Sequence, residues 1–324
     1  MYQPRSARSR NRLVAALTIA LFVASGCRPE STSTDVRNLQ SVDPDVFRTL
    51  PLPALGPWTD RIPEDAPKRI VSMIPSVTEL LFTIGLGDRL VGRDDWSDWP
   101  PESESRPSLG NQQTSSVERI ADLRPDLVVF WKHLPDKSRQ LSELFRLRIV
   151  TPGTESREEV LDGMAEVAAA CGVPKRGLEL VAALTAGLER VKERYRGKTK
   201  PRVLLVLDRG QAFYVPGRTS FMQELFDICN LENVAAGLSG GNWPAVSIEQ
   251  VLDWNPDVVL DLSLGAAPSA AQIAESHAFW RQHGTIAAVK SGRVVVLNAG
   301  VLVRPGPRLV GVAEELARIV HGAP

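Results

Sequence analysis

Four of the seven tryptophans in this 324-residue chain stand in segments that read as loops, and the chemistry an indole offers there is binding. Trp131 directly follows the apolar run Leu127-Val-Val-Phe130. Trp96 and Trp99 lie in Asp94-Asp-Trp-Ser-Asp-Trp-Pro-Pro101, after the short apolar stretch Leu90-Val91, and Trp243 lies in Gly241-Asn-Trp-Pro244. Ligands of open α/β sheets sit beyond the carboxyl ends of strands, where such loops are found. An indole presents a large rigid face to a planar or bulky apolar molecule. Trp99 is the one of the four that the following Pro-Pro turn could bury instead. Trp58, Trp254 and Trp280 read as packing residues.

Catalytic patterns are missing from the sequence. It contains no Walker loop, His-Glu-x-x-His pair or Cys-x-x-Cys, and Gly237-Leu-Ser-Gly-Gly241, although it spells Gly-x-Ser-x-Gly, does not open a helix as a nucleophile elbow or a phosphate cradle would. His133, His277, His283 and His321 are scattered, which does not suit a site of several imidazoles but leaves His133 open as a single axial ligand. Asp94, Asp95 and Asp98 are three carboxylates within five residues of a loop. They suit turn and capping duty, with a hard cation as the alternative. An exported metal-dependent enzyme would have to be built on them.

The elements that position these loops occur twice. Residues 116–129 and 247–260 share six identities at one offset of 131 (256 − 125): Ser116/Ser247, Glu118/Glu249, Asp122/Asp253, Pro125/Pro256, Asp126/Asp257 and Val128/Val259. Each copy reads as a short helix stopped by proline and followed by a buried parallel strand. A second echo pairs Glu79-Leu-Leu81 with Glu224-Leu-Phe226, after the strands that start at Arg69 and Arg202. The offset is too long for a solenoid period and predicts two similar α/β lobes with a cleft between them. From Pro174 to Lys198, apolar residues recur at Leu178, Val181, Ala182, Leu184, Leu188, Val191 and Tyr195. A helix of about 22 residues, about 33 Å long, therefore joins the lobes as a stiff bar and predicts small lobe motion.

The amino terminus carries Arg5, Arg8, Arg10 and Arg12, an apolar run Leu13 to Val23 and then Ala-Ser-Gly-Cys27. That run is too short for an ordinary membrane span and reads as a secretory signal. Residues 28–67 read as a tether rich in Ser, Thr, Pro and charge, with Leu52 to Ile62 as a candidate edge strand. The predicted organisation is leader 1–27, tether 28–67, first lobe 68–172, connecting helix 173–199 and second lobe 200–324. The chain has 38 basic and 38 acidic residues and no basic stripe, which argues against nucleic acid. Cys171 and Cys229 fall in different lobes and read as two buried thiols.

Arg69-Ile-Val-Ser-Met-Ile-Pro-Ser-Val-Thr-Glu-Leu-Leu81, Val91 to Pro101, Glu118 to Trp131, the bar helix and Trp243-Pro-Ala-Val-Ser-Ile-Glu-Gln-Val251 together resemble one family. It is the substrate-binding proteins of ABC importers for vitamin B12, iron–siderophores and haem. The resemblance spans about residues 66–322 and is strongest to the vitamin B12 binders. It implies the class III periplasmic binding protein fold: two Rossmann-like lobes with parallel-rich sheets joined by a single backbone helix. It also implies a monomer without catalytic activity or cofactor, whose partners are a permease and its ATPase.

The resemblance places cobalamin or another corrinoid against Trp96, Trp131, Trp243 and the last cleft loop, Gly300, Val301, Leu302, Val303 and Arg304. That loop lacks the acidic residue and the aromatics of the familiar B12 binders, so the ligand stays open. Haem would use His133, and a ferric siderophore would use Arg304, Arg308, Arg93 and Lys132. Glu249 matches a glutamate that docks on the permease, with Asp136 as its weaker first-lobe substitute. Cys27 matches the lipidated cysteine of a bacterial lipoprotein, which implies export and a lipid anchor in the cell envelope.

Overall fold

The computed structural model of the chain describes residues 42–111, 113–132, 139–140, 143–265 and 268–322. The leader with Cys27, the first part of the expected tether, His133 and Asp136 lie outside the described residues. In chain order the strands are β1 (Ile70–Ser72), β2 (Leu90–Arg93), β3 (Leu127–Val129), β4 (Ile149–Val150), β5 (Arg202–Val206), β6 (Asp208–Arg209), β7 (Phe213–Tyr214), β8 (Glu232–Asn233), β9 (Ala245–Val246), β10 (Val258–Asp261) and β11 (Val294–Val296). The first lobe is a parallel sheet in the order β2-β1-β3-β4. The second is a parallel sheet in the order β8-β5-β10-β11, the same topology built again. A small antiparallel sheet, β6-β7-β9, is added to the second lobe. No helix among the described residues is long and apolar enough to cross a membrane.

The repeated polar residues do the same work in each lobe. Ser116 and Ser247 cap helices Val117–Asp122 and Ile248–Trp254 by accepting from the backbone N–H of Arg119 and Gln250. Arg124 and Asn255, each before the proline, both turn the chain through a left-handed conformation at φ 46°. Asp126 then accepts from the N–H groups of Lys68 and Arg69 at 2.7 and 2.9 Å, and Asp257 from that of Arg202 at 2.9 Å. Each aspartate thus satisfies the free backbone donors at the start of its lobe's central strand.

Helix Pro174–Tyr195 joins the lobes and belongs to both cores. Leu180 and Leu184 pack into the first, while Leu188, Val191 and Tyr195 pack into the second. Leu178, expected on this apolar stripe, is 62% exposed. The buried row runs 180, 184, 188, 191, 195, and Leu178 lies two positions off it, toward the opposite side at 100° per residue. Cys171 and Cys229 are both buried and free, and burial pushes the Cys171 thiol up to about 12.

Part of the expected tether is packed. Phe47 is fully buried in the second lobe's core, and Asp45 accepts from Asn298 Nδ2 at 2.7 Å. Farther along, Leu55 and Ile62 pack on the first core, Trp58 donates to the Thr83 carbonyl at 3.1 Å, and Asp60 takes Arg176 Nε at 2.9 Å. Leu52 to Ile62 forms no strand, because Pro53 and Pro57 lack the N–H groups a ladder needs.

Two of the ion pairs that cross between the lobes join their helices. Arg308, beginning helix Leu309–His321, grips Glu79 of helix Pro75–Thr83 through Nε at 2.9 Å and through Nη2. Their side chains are only 2% and 3% exposed. Conversely Arg157, beginning helix Arg157–Ala170 of the first lobe, reaches Glu224 of helix Phe221–Ile228 at 3.2 Å. Removing one member of a buried pair strands the other charge. Glu79→Ala is therefore expected to lower unfolding free energy by about 3–5 kcal/mol, and Glu79→Leu with Arg308→Met to recover most of it. Chemical denaturation of both variants checks this, and equal losses would show that the pair is not the cause.

Candidate functional site

A cavity of about 620 Å³ lies between the lobes. Its volume falls within the ordinary range for a small-molecule site. Trp96 and Trp131 enter it from the first lobe, and Trp243 and Phe221 from the second. The first helix of each lobe starts at the cavity, with Pro75 and Ser76 on one side and Ser220 and Phe221 on the other.

Each indole is held by its own element. Trp131 follows buried Phe130 at the carboxyl end of β3 and packs partly against the first lobe's cores. The loop with Trp243 is tied down on both flanks: Val215 donates to the Pro244 carbonyl at 3.1 Å and Gly217 to the Asn242 carbonyl at 2.9 Å. Gly217 cannot be larger, because a Cβ there would lie 2.5 Å from the Gly241 carbonyl oxygen. Trp96 is 45% exposed, although its loop is fixed from beneath. Trp99 does not line the cavity; its ring receives the Arg308 guanidinium at 5.2 Å from the centroid. Trp280 is fully buried, its N–H donating to Asp261, and Trp254 packs on the second lobe's core.

The last cleft loop divides. Gly300, Val303 and Arg304 face the cavity, whereas Val301 and Leu302 are 5% and 1% exposed and join the second lobe's core. Ala299–Leu302 is a helical turn, so neighbouring residues point in different directions and a five-residue contact run is not possible. Val301 and Leu302 support the wall without lining it.

The basic residues that could meet an anion are already engaged. Arg304 crosses the cleft to Asp98 at 2.6 Å. Burial works against the Asp98 charge, but Arg304 outweighs it and holds that carboxyl below its usual range. The bridge therefore persists at neutral and mildly acidic pH; its contribution to stability is lost only as pH falls below the ordinary aspartate range. Arg308 is bound to Glu79, Lys132 to Glu159 at 3.1 Å, and Arg93 to the carbonyls of Ser103 and Asp94. The three loop acids also diverge: Asp94 accepts from the Trp96 N–H, Asp95 from the Ser108 hydroxyl and Asp98 from Arg304. No group of three or more His, Cys, Asp or Glu among the described residues could hold a metal ion.

Glu249 is exposed in the first turn of its helix, and the Ser247 hydroxyl, then its own backbone N–H, hold its carboxyl below the usual range. The position equivalent to it in the first lobe is Glu118 (249 − 131), also in a first turn and accepting from Ser116 Oγ at 2.8 Å. The repeat pairs Glu249 with Glu118, while Asp136 lies outside the described residues.

Residues 70–300 match the periplasmic binding protein family. A Bacillus subtilis (strain 168) protein, YvrC, described as an uncharacterized ABC transporter substrate-binding lipoprotein, is 26% identical over 321 residues, 97% of this chain and 98% of the relative. Among solved structures, the periplasmic vitamin B12 binding protein BtuF of Vibrio cholerae has a TM-score of 0.67 at 27% identity, covering 79% of this chain and 97% of that one. The periplasmic haem-binding protein RhuT from Roseiflexus sp. RS-1 shares the fold, with a TM-score of 0.69 at 24% identity over 78% of this chain and 97% of that one. The family match takes in both parallel sheets, the connecting helix and all three cleft indoles. The chain belongs to the periplasmic binding protein family, in the class III arrangement of two α/β lobes joined by one long helix.

Proposed function

We propose that this chain is the lipid-anchored substrate-binding component of an ABC importer and that its cargo is cobalamin or another corrinoid. The observation that carries this reading is a cavity faced by indoles from both lobes, in which, among the described residues, the one lining arginine is already neutralised by Asp98 and Glu155 is the only other ionisable lining residue. A corrinoid is a large, nearly flat macrocycle fringed with amides, and it asks for aromatic faces and few free charges. An anionic siderophore would instead have to compete with Asp98, Glu79 and Glu159 for the available cations. Similarity to the vitamin B12 binding protein of Vibrio cholerae supports the same cargo.

Burying an aromatic anchor is commonly worth about 2 kcal/mol or more, roughly thirtyfold in affinity. Trp131→Ala and Trp243→Ala are each expected to weaken cobalamin binding by at least about that factor without unfolding the protein, and cobalamin is expected to quench tryptophan fluorescence. Fluorescence titration and absorbance spectra measure both. If cobalamin does not bind at micromolar concentration while haem gives a shifted Soret band that His133→Ala abolishes, haem replaces the corrinoid.

Delivery requires the permease to recognise the loaded protein. Glu249 and Glu118, in equivalent first turns, suit paired docking onto permease cations. Rim charges orient docking and contribute little to stability. Glu249→Arg is expected to leave cobalamin affinity intact and reduce uptake into cells; a parallel loss of affinity would assign the residue to its own helix. The anchor rests on Cys27. Cys27→Ser is expected to abolish incorporation of labelled fatty acid and release the protein in soluble form, whereas a wild-type protein that takes up no label would remove the anchor from this reading.

A further inference from the structure

Asp94 lies two residues before Trp96 and is fully buried, as are Ser72 and Thr78, while Ser97 is 1% exposed. Four oxygen–oxygen contacts join these residues in a line. Asp94 Oδ1 contacts Ser97 Oγ, which lies 2.8 Å from Thr78 Oγ1. Thr78 Oγ1 lies 3.0 Å from Ser72 Oγ, which lies 3.0 Å from the carbonyl oxygen of Ile74. Each contact needs one hydrogen between its two oxygens, and each hydroxyl carries one. With Asp94 ionised, three hydroxyl hydrogens must serve four contacts, and one pair of lone pairs is left face to face. A neutral carboxyl supplies the fourth hydrogen. Asp94 then donates to Ser97, Ser97 to Thr78, Thr78 to Ser72 and Ser72 to the Ile74 carbonyl, so every bond points the same way and polarises the next.

The line ties the cleft loop to the first lobe. Thr78 stands on helix Pro75–Thr83 and Ser72 ends β1, while the other carboxylate oxygen, Oδ2, accepts from the Trp96 N–H at 3.2 Å. We propose that Asp94 is the positioning residue of the cleft loop, its neutral carboxyl completing the one-way chain Asp94–Ser97–Thr78–Ser72 that fixes Trp96 against the first lobe. Its effect on cargo rests on the corrinoid reading of Trp96; the chain itself does not.

The surroundings favour the neutral group up to about pH 6. Burial raises the Asp94 carboxyl to about 6, against hydrogen bonds from Ser97 and Trp96 and the charges of Arg304 and Arg93. Arg93 spends its guanidinium on backbone carbonyls, and Arg304 is held by Asp98. A carboxyl whose pKa is higher folded than unfolded stabilises the fold where it is protonated. That contribution is present at low pH and is lost as pH rises from 3.8 through about 6, the opposite sense to Asp98.

Asp94→Asn offers an amide hydrogen in place of the carboxyl proton and does not titrate. From pH 4 to 8, the unfolding equilibrium constant of the wild type is expected to rise relative to that of Asp94→Asn by on the order of a hundredfold, read from parallel denaturation curves. Parallel pH profiles would overturn the proposal. Carbon-13 carboxyl NMR of the wild type gives a second reading that does not depend on the variant folding. One aspartate titrating near pH 6 supports the chain, and every aspartate titrating in the ordinary range sinks it. Cobalamin titration is a separate arm, in which wild-type affinity falls through the same pH interval and that of Asp94→Asn stays level. If the stability and NMR results hold but cobalamin does not bind at any pH, the cargo reading fails and the chain stands.

Discussion

Two glutamates from equivalent helices reach into the opposite lobe, and the cleft exists at its present width because each finds an arginine there. Glu79 of the first lobe meets Arg308, and Glu224 of the second meets Arg157. Each arginine stands at the start of the last helix of its own lobe. The arrangement is reciprocal in topology and unequal in environment, since Glu79 is buried whereas Glu224 is 39% exposed. Burial makes the Glu79 pair the more exacting of the two: a desolvated carboxylate has no water to fall back on if Arg308 moves away. Arg308 also donates to the Arg48 carbonyl at 3.1 Å and lies over the Trp99 ring. One guanidinium therefore joins the first helix of one lobe, a cleft loop, the packed amino-terminal segment and the last helix of the other lobe.

The connecting helix and the segment from Val42 to Pro67 act in the same direction. The helix contributes to both cores, and the segment places Phe47 in one and Leu55 and Ile62 against the other. A lobe that swung open would have to extract apolar side chains as well as break ion pairs. Walls held in this way need not be ordered when a ligand arrives, which removes part of the entropic cost of binding.

Within that frame, the ionisable side chains that line the cavity among the described residues are Arg304 and Glu155, and Glu155 accepts from Asn242 Nδ2 at 3.2 Å. Arg304 and Asp98 cancel across the gap, and Arg308, Lys132 and Arg93 are committed elsewhere. The cavity offers aromatic surface from both lobes and a few polar edges. The same loop holds two aspartates of opposite behaviour. Asp98 is kept charged by Arg304, and Asp94 is pushed toward neutrality by burial, so five residues of sequence contain two electrostatic environments.

The duplicated corner, the stop at each proline, the capping serines, the connecting helix and the loops that carry indoles were all readable in the sequence. Each is set by local rules: helical spacing, a missing N–H, a side chain that reaches its own backbone. The repeat also pairs Glu249 with Glu118. Other features waited for the tertiary structure. Local spacing could not show that Val301 and Leu302 turn inward, that Leu178 faces water or that the presumed tether is packed from Val42 onward. Nor could it show that Arg304 is spent on Asp98, 206 residues away, or Arg308 on Glu79, 229 residues away. Partners so far apart are chosen by how the two lobes dock, and burial of a carboxylate such as Asp94 exists only once the surrounding elements have closed over it.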